Sequence, residues 1–168
     1  ALQQIASRQT DPLHAIVVST TQIHGGDAYN VLPNEVVLRG TVRAFHPEAR
    51  AQAEPSLRTI VEGVCKMTGA EATVRYERQY PTLVNDHGAA DRALASAGKV
   101  FDTVNAAPPQ TMIVEDFAFM LEDRPGCYGW IGNGSDEDAC ILHSAWFDFN
   151  DEALPYGASW FAEVVQSR

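Results

Sequence analysis

Basic residues are scarce in this chain. Twelve Lys and Arg stand against 22 Asp and Glu, a formal net charge of −10. That excess disfavours nucleic acid and anionic membrane surfaces as partners. It does not exclude a small anionic substrate, because the charge at one site can oppose the global sign. Long apolar runs are missing as well: none approaches the roughly 18 residues of a membrane span, and no signal peptide is visible. Cysteine is sparse, with Cys65, Cys127 and Cys140 the only three. They form no CxxC pair and are odd in number, which argues against a disulfide framework and for reduced thiols in a cytoplasmic protein. Internal repeats and low-complexity tracts are absent.

What is present is ordinary globular material, 45% apolar and 20% charged over 168 residues. That length buries one core or two small ones. The opening, Ala1 to Arg8, sets Leu2 and Ile5 one helical spacing apart with no capping residue before them. A helix normally begins with Ser, Thr, Asp or Asn to satisfy its first N–H groups. This opening therefore reads as the tail of a helix from a preceding segment, and the chain as a fragment that is inactive alone.

Ala15 to Ile23, rich in Ile, Val and Thr, reads as a strand broken by Gly25-Gly26-Asp27. Pro33-Asn34 is a second turn signal, and Glu35 to Phe45 the next strand. Alternation puts Val36, Leu38, Val42 and Ala44 on one face and Val37, Arg39, Thr41 and Arg43 on the other, so an antiparallel pair is expected. A helix follows, with Leu57, Ile60, Val61 and Val64 as its apolar stripe and Gly69 as its C-cap. Pro55 marks its first turn or kinks a longer helix begun near Glu48. Ala72 to Tyr80 reads as another strand. The order helix, strand, strand, helix, strand is a ferredoxin-like βαββαβ unit lacking its first strand.

Tyr80 to Asp86 reads as a crossover, so residues 1–80 form one domain and 81–168 a second. In the second, Asp86 caps a helix striped by Ala90, Leu94, Ala97, Phe101 and Val104, which ends before Pro108-Pro109. Short strands are expected at Thr111 to Val114 and Tyr128 to Gly132, and a short helix at Phe117 to Leu121. Ala139 to Leu142 is a further short strand candidate. A last helix opens near Asn150 or Asp151, with a stripe of Leu154, Ala158, Phe161 and Val165. Strands alternating with helices indicate part of an open α/β sheet.

Several residues have functional potential. His143 follows a strand candidate, and strand ends are where an open α/β sheet presents catalytic groups and metal ligands. A neutral imidazole there suits zinc or manganese. Asp148 and Asp151 lie close enough in sequence to orient that ring through its other nitrogen, although Asp151 also serves as a helix start. Asn30 and Arg43 pair an amide donor with a guanidinium, a good cradle for a carboxylate. The plainer reading is a turn-stabilising Asn and a solvated strand Arg. His24, beside the Gly-Gly break, either donates to a substrate oxygen or is an exposed loop residue. Glu115 and Asp116 precede an apolar run, as first-turn acids do. His14, His46 and His87 sit in polar contexts that surface positions explain.

Three stretches carry a resemblance. His143-x-x-x-Phe147-Asp148-Phe149-Asn150-Asp151-Glu152-x-Leu154-Pro155-Tyr156-Gly157 resembles the C-terminal signature of the amidohydrolase branch of the dinuclear metallopeptidases, the aminoacylase-like enzymes. Hippurate hydrolase, N-acyl-amino-acid amidohydrolases and hydrolases of indole-acetyl amino acids belong there. Gln22 to Asn34 with Leu38 to Arg43, and Val114 to Leu121, resemble the same branch in the same order. One departure is Ile113-Val114, where that branch commonly has Gly-Ser or Ala-Ser before the Glu.

The resemblance implies an α+β lid or dimerisation domain followed by the C-terminal part of an open-sheet α/β metallohydrolase domain. It implies His143 as a ligand to one of two divalent ions (zinc, manganese, cobalt or nickel), and Asn30 and Arg43 as holders of the substrate carboxylate. It implies Glu115 at the cleft in a structural or supporting role, a general-base glutamate N-terminal to this chain, and a homodimer through the lid. The expected reaction is cleavage of N-acyl-amino acids to a carboxylic acid and an amino acid. Alternatives are a dipeptidase or carboxypeptidase of the same superfamily, a non-catalytic dimerisation module, and a ferredoxin-like small-molecule-binding regulator.

Overall fold

A computed structural model describes residues 1–134 and 142–167 of the chain. The chain divides into two compact units, residues 1–82 with 112–114, and residues 83–111 with 115–168. Among the described residues no helix is long and apolar enough to cross a membrane.

The first unit is built on two antiparallel strands, β1 (Ile16–His24) and β2 (Val37–Ala44). β1 is dominated by β-branched residues that suit a pleated surface, and β2 contributes Val37, Thr41 and Val42. The register runs from Ile16 opposite Ala44 to His24 opposite Val37, with a bulge that leaves Thr21 unpaired. Gly40, opposite Thr20 at the bulge, is where the two backbones approach closely. A Cβ there would lie far inside contact distance of the Ser19 carbonyl oxygen and 3.3 Å from Thr20 Cα. Glycine is the residue that permits this approach.

Helix α1 (Pro47–Thr68) starts with Pro at its first turn, carries Pro55 inside, and closes on Gly69 in the left-handed region at φ 71°. The longer of the two expected helices is thus the one formed. Its buried positions are Ala49, Ala53 and Ser56. The expected stripe is displaced: Leu57, Ile60 and Val61 are only half-buried and Val64 is exposed. A two-stranded sheet is too narrow to cover a helix of 22 residues along its whole length. Ile5, in a single wide-wound turn at Ile5–Gln9, and Val18 complete this core. Gln3 donates to the Val18 carbonyl at 2.7 Å.

Ala72 to Tyr80 does not pair as a strand: β1–β2 is the only sheet among the described residues. The segment is held instead by arginines. Arg58 and Arg50 on α1 donate to the carbonyls of Val74 and Gln79, each at 3.2 Å, while Arg58 and Arg78 share Glu54. Side-chain donors thus meet carbonyls that a ladder would otherwise have used.

In the second unit α2 (His87–Ala97) begins as expected, Asp86 accepting from the Ala89 N–H at 2.9 Å. Ala93, Ser96 and Ala97 are its buried face; of the expected stripe only Ala97 is fully buried, Ala90 and Leu94 are half-buried, and Phe101 and Val104 lie beyond the end of the helix. α3 spans Phe117–Asp123 and α4 spans Ala153–Gln166. The face of α4 differs most from expectation. Leu154, Phe161 and Val165 are 57%, 72% and 64% exposed. Trp160 turns inward instead, donating its indole N–H to the Ala93 carbonyl at 2.9 Å and meeting Phe101 edge-on at 5.9 Å. A helix with two apolar stripes packs on the one that offers its indole an acceptor.

Neither Thr111 to Val114 nor Tyr128 to Gly132 forms a strand among the described residues. Tyr128 is nevertheless paired as if in a ladder. Its N–H and C=O are both taken by the Asn85 side chain, at 2.8 and 2.9 Å. An amide group presents a donor and an acceptor side by side, as a neighbouring backbone would. The mixed helix and strand content agrees with an α/β assignment; of the proposed strand Ala139 to Leu142, residues 139–141 lie outside the described residues.

Candidate active-site residues

Arg43 lies near the end of β2, opposite Val17. It is half-buried, and its Nη1 donates to the Met112 carbonyl, 69 residues away. Among the described residues its Nε and Nη2 have no partner, so one edge of the guanidinium fork is free for an anion. Asn30 is exposed in the connection between the strands. That connection leaves the ladder at the His24–Val37 pair, six residues along β2 from Arg43 or about 20 Å of strand. Register therefore puts the base of the connection that carries Asn30 at the far end of the ladder from Arg43, and no hydrogen bond joins the two side chains among the described residues. His24 is the last β1 rung and is exposed. The base of the connection is tight, since a Cβ on Gly25 would come within 2.8 Å of a Val36 methyl.

In the second unit Glu115 accepts from the Tyr128 hydroxyl at 2.8 Å and from the Phe117 N–H at 3.4 Å. The Tyr128 hydroxyl is the main reason its carboxyl is held below the usual range, with the neighbouring Asp116 next. Asp116 moves the other way: its hydrogen bond with Glu115, then that residue's charge, raise its pKa. Adjacent carboxyls coupled in this way lose their protons in separate steps. Tyr128 is itself raised, first by desolvation and then by its bond to Glu115.

His143 is exposed, at φ 69°. It is the only non-glycine residue with positive φ among the described residues. Side chains in that region carry a backbone cost, and such costs concentrate at functional positions. The segment after it is tied to the turn at Gly132 to Gly134. Asn133 accepts from the Asn150 N–H at 2.8 Å and donates to the Asp148 carbonyl at 3.0 Å. Asp148 thus enters through its backbone; no hydrogen bond joins its carboxylate to His143 among the described residues. Asp151 does not cap α4 with its side chain; Asn150 Oδ1 accepts from the Glu152 N–H at 3.0 Å instead. No three His, Cys, Asp or Glu side chains among the described residues converge to hold a metal ion. An exposed imidazole is a suitable single donor, but one donor does not make a dinuclear centre.

Two groupings were not expected from the sequence. Asn133, which reads simply as a turn residue, fixes the backbone that follows His143. His14 and His46 stack, with ring centroids 4.1 Å apart and planes at 21°. They are 32 positions apart with no periodic relation, so nothing in the sequence links them. Asn133, by contrast, sits between two glycines, a flag for a polar turn residue with backbone work to do.

The family model described as peptidase family M20/M25/M40 matches residues 4–167. The N-acetylcysteine deacetylase of Bacillus subtilis is 35% identical over 168 residues, which cover 98% of this chain and 42% of that protein. Thermostable carboxypeptidase 1 of Saccharolobus solfataricus is 31% identical over 161 residues, covering 94% of this chain and 40% of that one. The crystal structure of Bacillus subtilis YXEP, described as a dinuclear metal-binding peptidase of the M20 family, superposes with a TM-score of 0.73 at 32% identity. The match covers 99% of this chain and 43% of that one. The chain thus spans about two fifths of the length of the proteins it matches.

Proposed function

Since the chain belongs to peptidase family M20/M25/M40, we propose that it is the lid and C-terminal part of a metal-dependent amidohydrolase that cleaves N-acyl-amino acids. His143 carries the reading. It is an exposed imidazole on a conformationally costly backbone, opening the segment that resembles the branch's C-terminal signature. In the proposed parent, His143 is one metal ligand, and the remaining ligands and the general-base glutamate come from outside this chain. Bound divalent ions would supply Lewis-acid polarisation of the amide carbonyl and an acidified water.

Arg43 takes the substrate carboxylate on its free fork edge, a two-pronged contact that point-like cations do not reproduce. The connection that carries Asn30 leaves the ladder at its far end from Arg43. We therefore assign the part of Asn30 in carboxylate binding to a second copy of the lid, in a homodimer. Glu115, fixed by Tyr128, supports the cleft wall. The exposed apolar faces of α1 and α4 are covered, in this reading, by the remainder of the parent, including the strands that would complete a ferredoxin-like lid and an open sheet. A cytoplasmic setting suits the unpaired thiols of Cys65 and Cys127.

The test is a full-length parent with Asn30 and Arg43 both replaced by Ala. KM for an N-acyl-amino acid should rise far more than KM for its uncharged amide analogue. Equal losses on both would refute the carboxylate role, and an His143→Ala parent that retains full metal content would refute the ligand role. A carboxypeptidase-type activity is the second reading, favoured by the likeness to the Saccharolobus solfataricus protein. Faster cleavage of an N-capped dipeptide than of an N-acyl-amino acid would select it.

A further inference from the structure

The chain passes between its two units after Thr82, and again on either side of Met112–Val114. Both passages are fastened to three consecutive residues, Arg43 and Ala44 at the end of β2 and Phe45 just after it. The Thr82 hydroxyl lies 3.3 Å from the Ala44 carbonyl oxygen and 3.1 Å from that of Phe45, donating to this pair of acceptors. Arg43 donates to the Met112 carbonyl. Met112 stands three residues before Glu115, which is itself held by Tyr128. These fasteners join segments 37–38 and 69 residues apart in sequence, and each is made by a side chain rather than by a ladder.

We propose that Arg43, Ala44 and Phe45 form a clasp on both chain passages, and that Arg43 and Thr82 are positioning residues. Arg43 serves two acceptors at once: Nη1 holds the Met112 carbonyl while the Nε–Nη2 edge takes a carboxylate. A carboxylate gripped at two points fixes the guanidinium plane, so the donor that holds Met112 is already ordered. Occupancy of the anion site then tightens the strap that leads directly into Glu115. This coupling rests on the proposed carboxylate role of Arg43; the clasp itself does not.

Limited proteolysis of the 168-residue chain by thermolysin, which cuts before apolar residues, separates the two. Arg43→Met should raise cleavage before Ile113 and Val114 about tenfold, the size expected for losing one hydrogen bond that closes a segment. Thr82→Val should do the same before Leu83 and Val84. Arg43→Lys, with one donor sufficient for a carbonyl, should stay near the wild-type rate. N-acetylglycine should slow cleavage before Ile113 and Val114 in the wild type but not in Arg43→Lys, and N-acetylglycinamide should slow neither. Unchanged cleavage in Arg43→Met and in Thr82→Val, each with native circular dichroism, overturns the clasp. If one variant loses its fold, the other decides. Faster cleavage in the variants with no response of the wild type to N-acetylglycine keeps the clasp and overturns the coupling to a carboxylate.

Discussion

Gly40→Ala is a small change with a large expected effect. The added methyl would be driven into the Ser19 carbonyl oxygen, with Ser19 C at 3.2 Å and Thr20 Cα at 3.3 Å. All three are backbone atoms, which cannot rotate away as the end of a flexible side chain does. The strands must part locally, which strains or breaks the pairing at Thr20–Gly40 and Ser19–Thr41. Overpacking of this kind costs about 1–3 kcal/mol, and each ladder hydrogen bond lost adds roughly 0.5–1.5 kcal/mol. A total of about 2–4 kcal/mol is expected, a large share of the stability of a small domain.

Gly63→Ala in α1 is the matched control. A Cβ there meets nothing within 4 Å, so the change should stabilise by roughly 0.5–1 kcal/mol through helix propensity. Urea unfolding followed by far-ultraviolet circular dichroism measures both. For a slope of about 2 kcal/mol/M, the Gly40 variant's midpoint should fall by roughly 1–2 M. The Gly63 variant's should rise by a few tenths. Midpoints for Gly40→Ala and wild type that coincide would show that the bulge yields, and would refute the close-approach argument.

Two further predictions concern the site residues. His143→Gly should raise the unfolding free energy by about 0.5–1 kcal/mol, because glycine adopts φ 69° without the cost an L side chain carries; a drop in the melting temperature would show that the His143 side chain makes compensating contacts. Tyr128→Phe removes the main cause of the lowered Glu115 pKa, so the Glu115 carboxyl should titrate at higher pH by carbon-13 NMR, and no upward movement refutes that assignment. The sign for stability follows. A depressed carboxyl stabilises above its unfolded pKa and loses that contribution as pH falls through the folded one, so Tyr128→Phe should flatten the Glu115 part of the acid limb. Asp116, raised, favours the fold at low pH and loses its contribution as pH rises through its folded pKa.

Local chemistry was legible wherever neighbours in sequence decide the outcome. Asp86 caps α2 and Gly69 ends α1 because helix ends need an acceptor or a left-handed residue within a few positions. The β1–β2 pairing followed from alternation on either side of a turn. The strands expected at Ala72 to Tyr80 and Tyr128 to Gly132 were misjudged for one reason. Composition reports whether a segment can be extended, whereas a ladder needs a partner, and here the available partners were arginine and asparagine side chains.

By itself, then, the sequence determined the family, the order of helices and the first strand pair, and which polar residues were worth suspecting. Those depend on residue type and on spacing of a few positions, which the chain carries wherever it goes. Tertiary structure alone decided that α4 packs through Trp160 rather than through Leu154, Phe161 and Val165, and that Arg43 holds Met112. It alone decided that Tyr128 holds Glu115 and that His14 lies on His46. Each of these is a choice among chemically equivalent partners 13 to 69 residues apart, and only the path of the backbone brings one of them within the 3 Å or so that a hydrogen bond requires, or the 4.1 Å of the histidine stack.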